Sequence, residues 1–367
     1  MMGRHPRWDR LAASFSFYSG SAFLSYGDRN AGRTLSVEAT DGDDLVGAIP
    51  GWITEGNGHP YLEPTGLLGG LGLAPARYVV LGSPYAFFGE FMLATPDAAP
   101  LLVRAARTVQ QREDAVGVIG LHLSDGSIDA VVTASARPPL LVGFHAVIDV
   151  PASFDEYLAA LPSSRRTKIR RERNAFRSAG LTPSVEQIPD CLPELSSLIA
   201  RSEARHGIRT DSATVAAGLR RQHDCFPDRA RVFTARGPSG ELLGGVVVHL
   251  DEISVHTRIV GLLNERSPAC EYFNLGYYQP LLFAIGSNRR RIDLGMEAYP
   301  AKLGRGARLE PRWAVDLSDT PLWTPDDARH WNQSKIDALI RLVAHSPNSS
   351  NTALVSHLQK IINEPGG

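Results

Sequence analysis

The feature of this sequence that most narrows its fold is a plan that occurs twice. Thr34 to Thr40 (TLSVEAT) alternates its side chains with the period of two of a half-buried strand, Asp41-Gly42-Asp43-Asp44 turns the chain, and Leu45 to Pro50 runs back beside it. Arg231 to Arg236, the turn Gly237-Pro238-Ser239-Gly240 and Leu242 to Leu250 repeat that unit in the second half. Around the first unit, Tyr78 to Leu81, Val116 to His122 and Leu140 to Val150 read as strands, and residues 97–113 as a helix with Leu101, Leu102, Ala105 and Val109 on its apolar face. Around the second, Glu252 to Leu263 and Arg291 to Gly295 read as strands, with helices over Leu192 to His206, Thr210 to His223 and Ala269 to Ser287. The expected class is therefore α+β, a duplicated domain whose copies are each a mixed, mostly antiparallel sheet with flanking helices. The break is placed at Pro151, giving domains of residues 1–150 and 151–367, and 367 residues suffice for two buried cores. Residues 56–76, rich in Gly and Pro and holding His59, Tyr61 and Glu63, read as a long loop of the functional or mobile kind.

The strongest local bias is Ser163 to Arg177. Arg165, Arg166, Lys168, Arg170, Arg171, Arg173 and Arg177 stand against Glu172 alone, a local charge of +6 in a chain whose formal total is -1. Ser153 and Glu156 form a capping-box pattern for a helix running to Leu161, and Pro162 separates it from the basic stretch. As a helix, that stretch puts Arg166, Arg170, Arg173 and Arg177 on one face and Ile169 and Phe176 on another. One reading is a solvated surface: 34 of the 38 basic residues are arginine, a bias expected of a GC-rich genome. The other needs a polyanion, whether tRNA, a nucleotide diphosphate or coenzyme A. Seven cations on one helix exceed what a pyrophosphate requires, which favours a nucleic-acid backbone.

The second candidate is Arg291 to Arg312. A strand runs into Gly295, and Lys302-Leu303-Gly304-Arg305-Gly306 then sets two cations beside backbone amides that carry little steric cover. Such a loop suits an oxyanion or phosphate, although a Gly-rich turn with surface charges has the same composition. The lysine is notable in a chain with only four. The signatures HExxH, GxSxG and GxxxxGK[ST] do not occur, nor does the acyl-CoA pyrophosphate signature, because Ala301 occupies its cation position. His122, His249 and His256 lie in apolar strands and read as satisfied core histidines. Cys191, Cys225 and Cys270 are scattered and odd in number, which argues against a disulfide framework or zinc site and for a reducing cytoplasm. Neither a cleavable leader nor a membrane-spanning run is expected.

Ser153-Phe154-Asp155-Glu156-Tyr157-Leu158-Ala159-Ala160-Leu161-Pro162 and the basic run through Arg173 resemble a segment of the Fem-like transferases and the bacterial peptidoglycan biosynthesis/recognition proteins of the acetyltransferase superfamily. Ala269 to Phe273, Ile292 to Gly295 and Lys302 to Gly306 resemble that family's late helix, strand and loop in the same order, and Gly82 to Gly89 matches its proline- and aromatic-bearing segment more weakly. The resemblance implies two tandem GNAT-like domains and transfer of an amino acid from aminoacyl-tRNA, the donor co-substrate, to an amine on a cell-wall precursor or a small natural-product intermediate. No metal or other cofactor is implied. Lys302 and Arg305 would lie near the tRNA 3′ end or the developing oxyanion, and Arg165, Arg166, Lys168, Arg170 and Arg173 would grip tRNA phosphates. Tyr85, Phe88, Glu90, Tyr299 and Glu271 would line the acceptor site, with Glu297, Asp293 or Glu271 as the general base. Residues 163–210 are too short, with Pro183, Pro189 and Pro193, for the family's long helical arm, which favours a small soluble amine. An acyl-CoA-dependent N-acyltransferase and a non-catalytic anion- or nucleic-acid-binding module remain the alternatives.

Overall fold

The computed structural model describes residues 4–29, 33–56, 61–344 and 348–363. His59 lies outside them. The described residues form twelve strands: β1 Thr34–Asp41, β2 Asp44–Thr54, β3 Tyr78–Leu81, β4 Met92–Leu93, β5 Gly117–Leu123, β6 Leu140–Asp149, β7 Thr182–Glu186, β8 Ala230–Arg236, β9 Leu242–Leu250, β10 Ser254–Leu262, β11 Arg291–Asp293 and β12 Arg308–Asp316. The chain divides into two compact units. Unit 1 holds Met1–His145, Leu309–Ala344 and Ser350–Gly367; unit 2 holds Ala146–Arg308 and His345–Ser349.

That division departs from the expected one at the break, which falls after His145 inside β6 and not at Pro151, and in the C-terminal residues. The C-terminal residues belong with unit 1, because β12 takes its place between β5 and the first half of β6. β12 pairs antiparallel with β5, Asp316 opposite Ile119, and so brings the Pro325–Val343 helix into unit 1.

In unit 1 the order is β1-β2-β3-β5-β12-β6, with β4 against β2. The first strand-turn-strand unit closes antiparallel as expected, with Gly42 at the turn in the left-handed region. β3 and β5 run parallel from the Tyr78/Gly117 pair to Leu81/Gly120. Beyond that point Ser83 bridges Phe88 and Gly89 bridges Leu123, so the returning limb of the 83–89 turn is wedged between the two strand ends. Trp52, Tyr78, Ile119, Leu121 and Trp323 fill the core on one side. The Ala99–Arg112 helix buries Leu102, Val103, Ala106 and Val109.

In unit 2 the order is β6-β11-β10-β9-β8-β7. β11 meets β10 in parallel at three rungs only, Ser254/Arg291 to His256/Asp293, whereas β9, β8 and β7 follow antiparallel. The Ile188–Arg205 helix lies close on β10. A Cβ on Gly261 would fall 2.8 Å from the Ile199 backbone nitrogen, so glycine is what permits that approach. The helix begins earlier than Leu192 because Pro189 sits in its first turn, where no N–H is required.

Two expected helices are refined. Ser153 caps Phe154–Ala159 by accepting the Glu156 N–H at 3.1 Å, but the Glu156 carboxylate reaches back to the Ala152 N–H at 3.0 Å. The helix expected over Ala269 to Ser287 is interrupted by a π-helical turn, Asn274–Tyr278, between Glu271–Phe273 and Gln279–Gly286. Such turns often mark functional sites, and this one faces the basic helix.

Candidate active site

The basic stretch folds as one helix, Ser163–Ser178, starting directly after Pro162. Its buried residues are Ile169, Glu172 and Phe176, spaced by three and four, so the lone carboxylate lies on the apolar face. Its seven cations then divide by position. Lys168, Arg170, Arg171 and Arg177 are exposed, and Arg165, Arg166 and Arg173 are half-buried. Arg166 donates to the Leu161 carbonyl at 2.6 Å, and the Arg173 guanidinium lies 4.0 Å from the centroid of the Phe154 ring.

Glu172 is 3% exposed and faces Arg305, which is 4% exposed. The Arg305 Nη2 donates to both Glu172 oxygens, at 3.0 and 2.8 Å. Its Nε donates to the Tyr278 hydroxyl at 3.0 Å and its Nη1 to the Ala301 carbonyl at 2.9 Å. The Tyr278 hydroxyl in turn donates to Glu172. Asn274 donates to the Glu172 carbonyl at 3.2 Å, the Tyr157 hydroxyl donates to the Arg305 carbonyl at 3.0 Å, and the Phe273 ring centroid is 3.5 Å from the guanidinium carbon. Burial pushes the Tyr278 and Tyr157 phenols above their ordinary range, so both stay protonated donors. Arg305 is thus a neutralised, hydrogen-bonded cation.

Lys302, three residues before it, is 5% exposed. Its ammonium donates to the Gly295 carbonyl at 3.0 Å and the Met296 carbonyl at 2.6 Å. Burial lowers its pKa to about 8, opposed by Asp293 and Glu297. The loop it holds is strained: Glu297 and Ala298 both adopt left-handed backbone, φ 62° and 48°. Non-glycine residues in that region cost about 1–3 kcal/mol each and persist where their surroundings impose them.

Of the three candidate bases, Glu297 is exposed, whereas Asp293 is 4% exposed and accepts the Gly295 N–H at 2.8 Å. Glu271 is 7% exposed, and its Oε2 has no hydrogen-bond partner among the described residues. Tyr299 opens the short helix that carries Lys302.

A cleft of about 240 Å³ lies between the basic helix and this loop. Arg165, Lys168, Ile169 and Glu172 form one wall, a single helical stripe; Pro300, Ala301, Gly304 and Arg305 form the other, with Phe273 between. Of the expected phosphate-gripping residues it gathers Arg165 and Lys168. Sequence reasoning passed over Glu172 and Phe273, which line it, and Tyr278, Asn274 and Tyr157, which hydrogen-bond to Glu172 or Arg305 behind it.

Tyr85, Phe88 and Glu90 belong to unit 1, whereas Tyr299 and Glu271 belong to unit 2. Tyr85 and Phe87 are left-handed, φ 63° and 52°, as is His122, φ 55°. Glu90 accepts from the Ser124 hydroxyl at 3.2 Å, and Phe88 lies 5.4 Å below the Arg312 guanidinium. Of the core histidines, His249 pairs with Gln222 at 3.0 Å and His256 with Asp251 at 3.0 Å. The His122 Nε2 meets the Tyr61 carbonyl at 2.6 Å, which makes that nitrogen the donor, and its Nδ1 has no hydrogen-bond partner among the described residues. Burial lowers its pKa to about 4. Between that value and the ordinary 6.5 the unfolded chain binds a proton that the folded one refuses, so unit 1 is expected to lose stability on acidification through this window. The loss is on the order of 3 kcal/mol. Tryptophan fluorescence reads it, since Trp8, Trp52, Trp313, Trp323 and Trp331 all lie in unit 1, and His122→Asn should flatten the dependence.

Among the described residues no group of three or more His, Cys, Asp and Glu side chains is arranged to hold a metal ion, and no helix is long and apolar enough to cross a membrane. Residues 87–323 match the FemAB-like family, described as peptidoglycan biosynthesis/recognition. No curated protein matches the sequence. Among solved structures, FemX is similar at a TM-score of 0.62 and 10% identity, over 86% of this chain and 96% of that one. L-PGS from Bacillus licheniformis is similar at 0.56 and 13%, over 88% and 95%. The C-terminal domain of a putative lysylphosphatidylglycerol synthetase from Agrobacterium fabrum is similar at 0.56 and 12%, over 92% and 97%. At these identities the likeness is one of fold, and it agrees with the α+β, Fem-type architecture expected from the sequence.

Proposed function

The chain belongs to the FemAB-like family of peptidoglycan biosynthesis and recognition proteins, a transferase family, and from that we propose that unit 2 transfers an aminoacyl group from charged tRNA to an amine. The observation that carries the proposal is the cleft beside the basic helix. Four exposed cations on the helix offer a phosphate-backbone grip, while its inner stripe lines a pocket of a size for one small group.

The acceptor nitrogen attacks the ester carbonyl carbon and forms the C–N bond. The tetrahedral intermediate then expels the ribose oxygen, which takes up a proton as the amine loses one. An aminoacyl ester is already activated, so placement and oxyanion stabilisation can supply the rate. An ammonium has three N–H donors, and Gly295 and Met296 engage two of those of Lys302. The third is the donor we assign to the developing oxyanion. Arg305, neutralised by Glu172, holds the loop in place. Glu271 and Glu297 are the carboxylates assigned to proton removal. A small soluble amine is the acceptor class we favour.

The test is incubation with a mixture of radiolabelled aminoacyl-tRNAs and candidate amines. Amine-dependent loss of one tRNA ester, with the label appearing in an amide, is expected; intact esters alongside consumption of an acyl-CoA would overturn the proposal. Charge reversal of the exposed Arg170 and Arg171 should weaken tRNA binding and lower its salt dependence by about two phosphate contacts. An unchanged salt slope would remove the helix from the tRNA interface.

A further inference from the structure

The cations of the basic helix are not equivalent. Arg166 and Arg173 are engaged by their own unit, and Arg170, Arg171 and Arg177 point to solvent. Arg165 and Lys168 are the helix cations that line the cleft. The third cation of the cleft, Arg305, is balanced by Glu172. The net positive field inside therefore comes from Arg165 and Lys168, over a floor of Ile169 and Phe273.

Gly304 faces Arg165. A Cβ built on it would lie 3.3 Å from the Arg165 Nη1 and 3.1 Å from the Pro300 carbonyl oxygen. Its φ is -61°, open to any residue, so the backbone conformation does not demand glycine here. What the absent side chain allows is close approach of the guanidinium to the cleft wall. A planar guanidinium beside an ammonium one helical turn away is a recurring pairing for phosphate oxygens, the first bidentate and the second a point charge.

We propose that this cleft is a phosphate subsite, made by Arg165 and Lys168 and kept open by Gly304, that takes one phosphate group. Its volume of about 240 Å³ is below that of drug-sized pockets, about 300–1,000 Å³, and excludes a duplex. The subsite deepens the transferase reading and rests on it only for the source of the phosphate, which is either a phosphodiester at a single-stranded RNA end or a free nucleotide.

The experiment measures binding of four probes to the full chain at fixed salt: a single-stranded RNA trinucleotide, the same trinucleotide with neutral methylphosphonate linkages, a nucleoside 5′-monophosphate and the bare nucleoside. The trinucleotide is expected to bind at least about tenfold more tightly than its neutral analogue. Arg165→Gln, Lys168→Gln and Gly304→Ala should each remove most of that difference, while Arg220→Gln, an exposed cation of the Ser212–Cys225 helix outside the cleft, changes it less than about twofold. Arg165 and Lys168 are not fully buried, so their variants fold even where Gly304→Ala does not. A monophosphate that binds as tightly as the trinucleotide, with the same dependence on Arg165, identifies the free nucleotide as the source. Equal binding of charged and neutral probes, or indifference to Arg165→Gln, overturns the subsite. Transfer from aminoacyl-tRNA that survives Arg165→Gln and Lys168→Gln unchanged also overturns it while leaving the transferase reading intact. Arg165-dependent phosphate binding by a protein that leaves every tRNA ester intact removes the transferase reading and keeps the subsite.

Discussion

Alanine at position 172 is expected to destabilise unit 2 by about 3–5 kcal/mol, the usual cost of removing one partner of a buried ion pair. The side chain lost is small; the charge left behind is not. Arg305 is 4% exposed, and Glu172→Ala would leave its guanidinium with the Tyr278 hydroxyl and the Ala301 carbonyl but no counter-charge. The Tyr278 hydroxyl loses its acceptor in the same step. Urea unfolding followed by circular dichroism measures the effect, and tryptophan fluorescence should lag behind it because every tryptophan is in unit 1. Adding Arg305→Met should recover much of the loss, since an apolar replacement of both partners leaves nothing charged to bury. A Glu172→Ala protein as stable as the parent would mean that the pair is hydrated and contributes little.

Lys302→Met is expected to lower transfer by about 10²–10³, the range found when one oxyanion donor is removed. It should also change how stability responds to alkali. The lysine pKa falls from its ordinary 10.5 to about 8 on folding. Between those values the unfolded chain keeps a proton that the folded one has released, so stability of the parent rises with pH, by on the order of 3 kcal/mol across the window. Below about pH 8 both states are charged and the full burial penalty applies. The methionine variant should show a flat profile there. Transfer unaffected by the substitution would leave Lys302 as a clamp on the Gly295 and Met296 carbonyls and nothing more.

Much of the fold was legible because it comes from periodicity and punctuation. The repeated strand-turn-strand units, the start of the basic helix after Pro162 and the Ser153 cap all rest on local chemistry, which a sequence displays. The return of β12 to unit 1 was not legible, since strand partners far apart in sequence are chosen by packing. The site was legible in part. The basic stretch and the Lys302 loop stand out by composition, yet their pairing runs through Glu172, the one residue that breaks the pattern. Its place between Ile169 and Phe176 on the helical wheel was a signal that it is buried, and a buried carboxylate requires a partner. Which partner, Arg305, depends on a contact across more than a hundred residues, with Tyr278 presented by a π turn that no spacing rule announces.

The parallel pairs β3/β5 and β10/β11 end differently. In unit 1 the chain's own limb at Phe88 and Gly89 is stitched into the gap beyond β3 and β5, so that seam is sealed and a guest would have to unpick hydrogen bonds to enter. In unit 2, β10 and β11 part after His256, and the half-buried Thr257 to Val260 continue along β9 alone. One unit thus has a sealed seam and the other a seam that parts, and the left-handed backbone at Tyr85, Phe87 and His122 lies beside the sealed one.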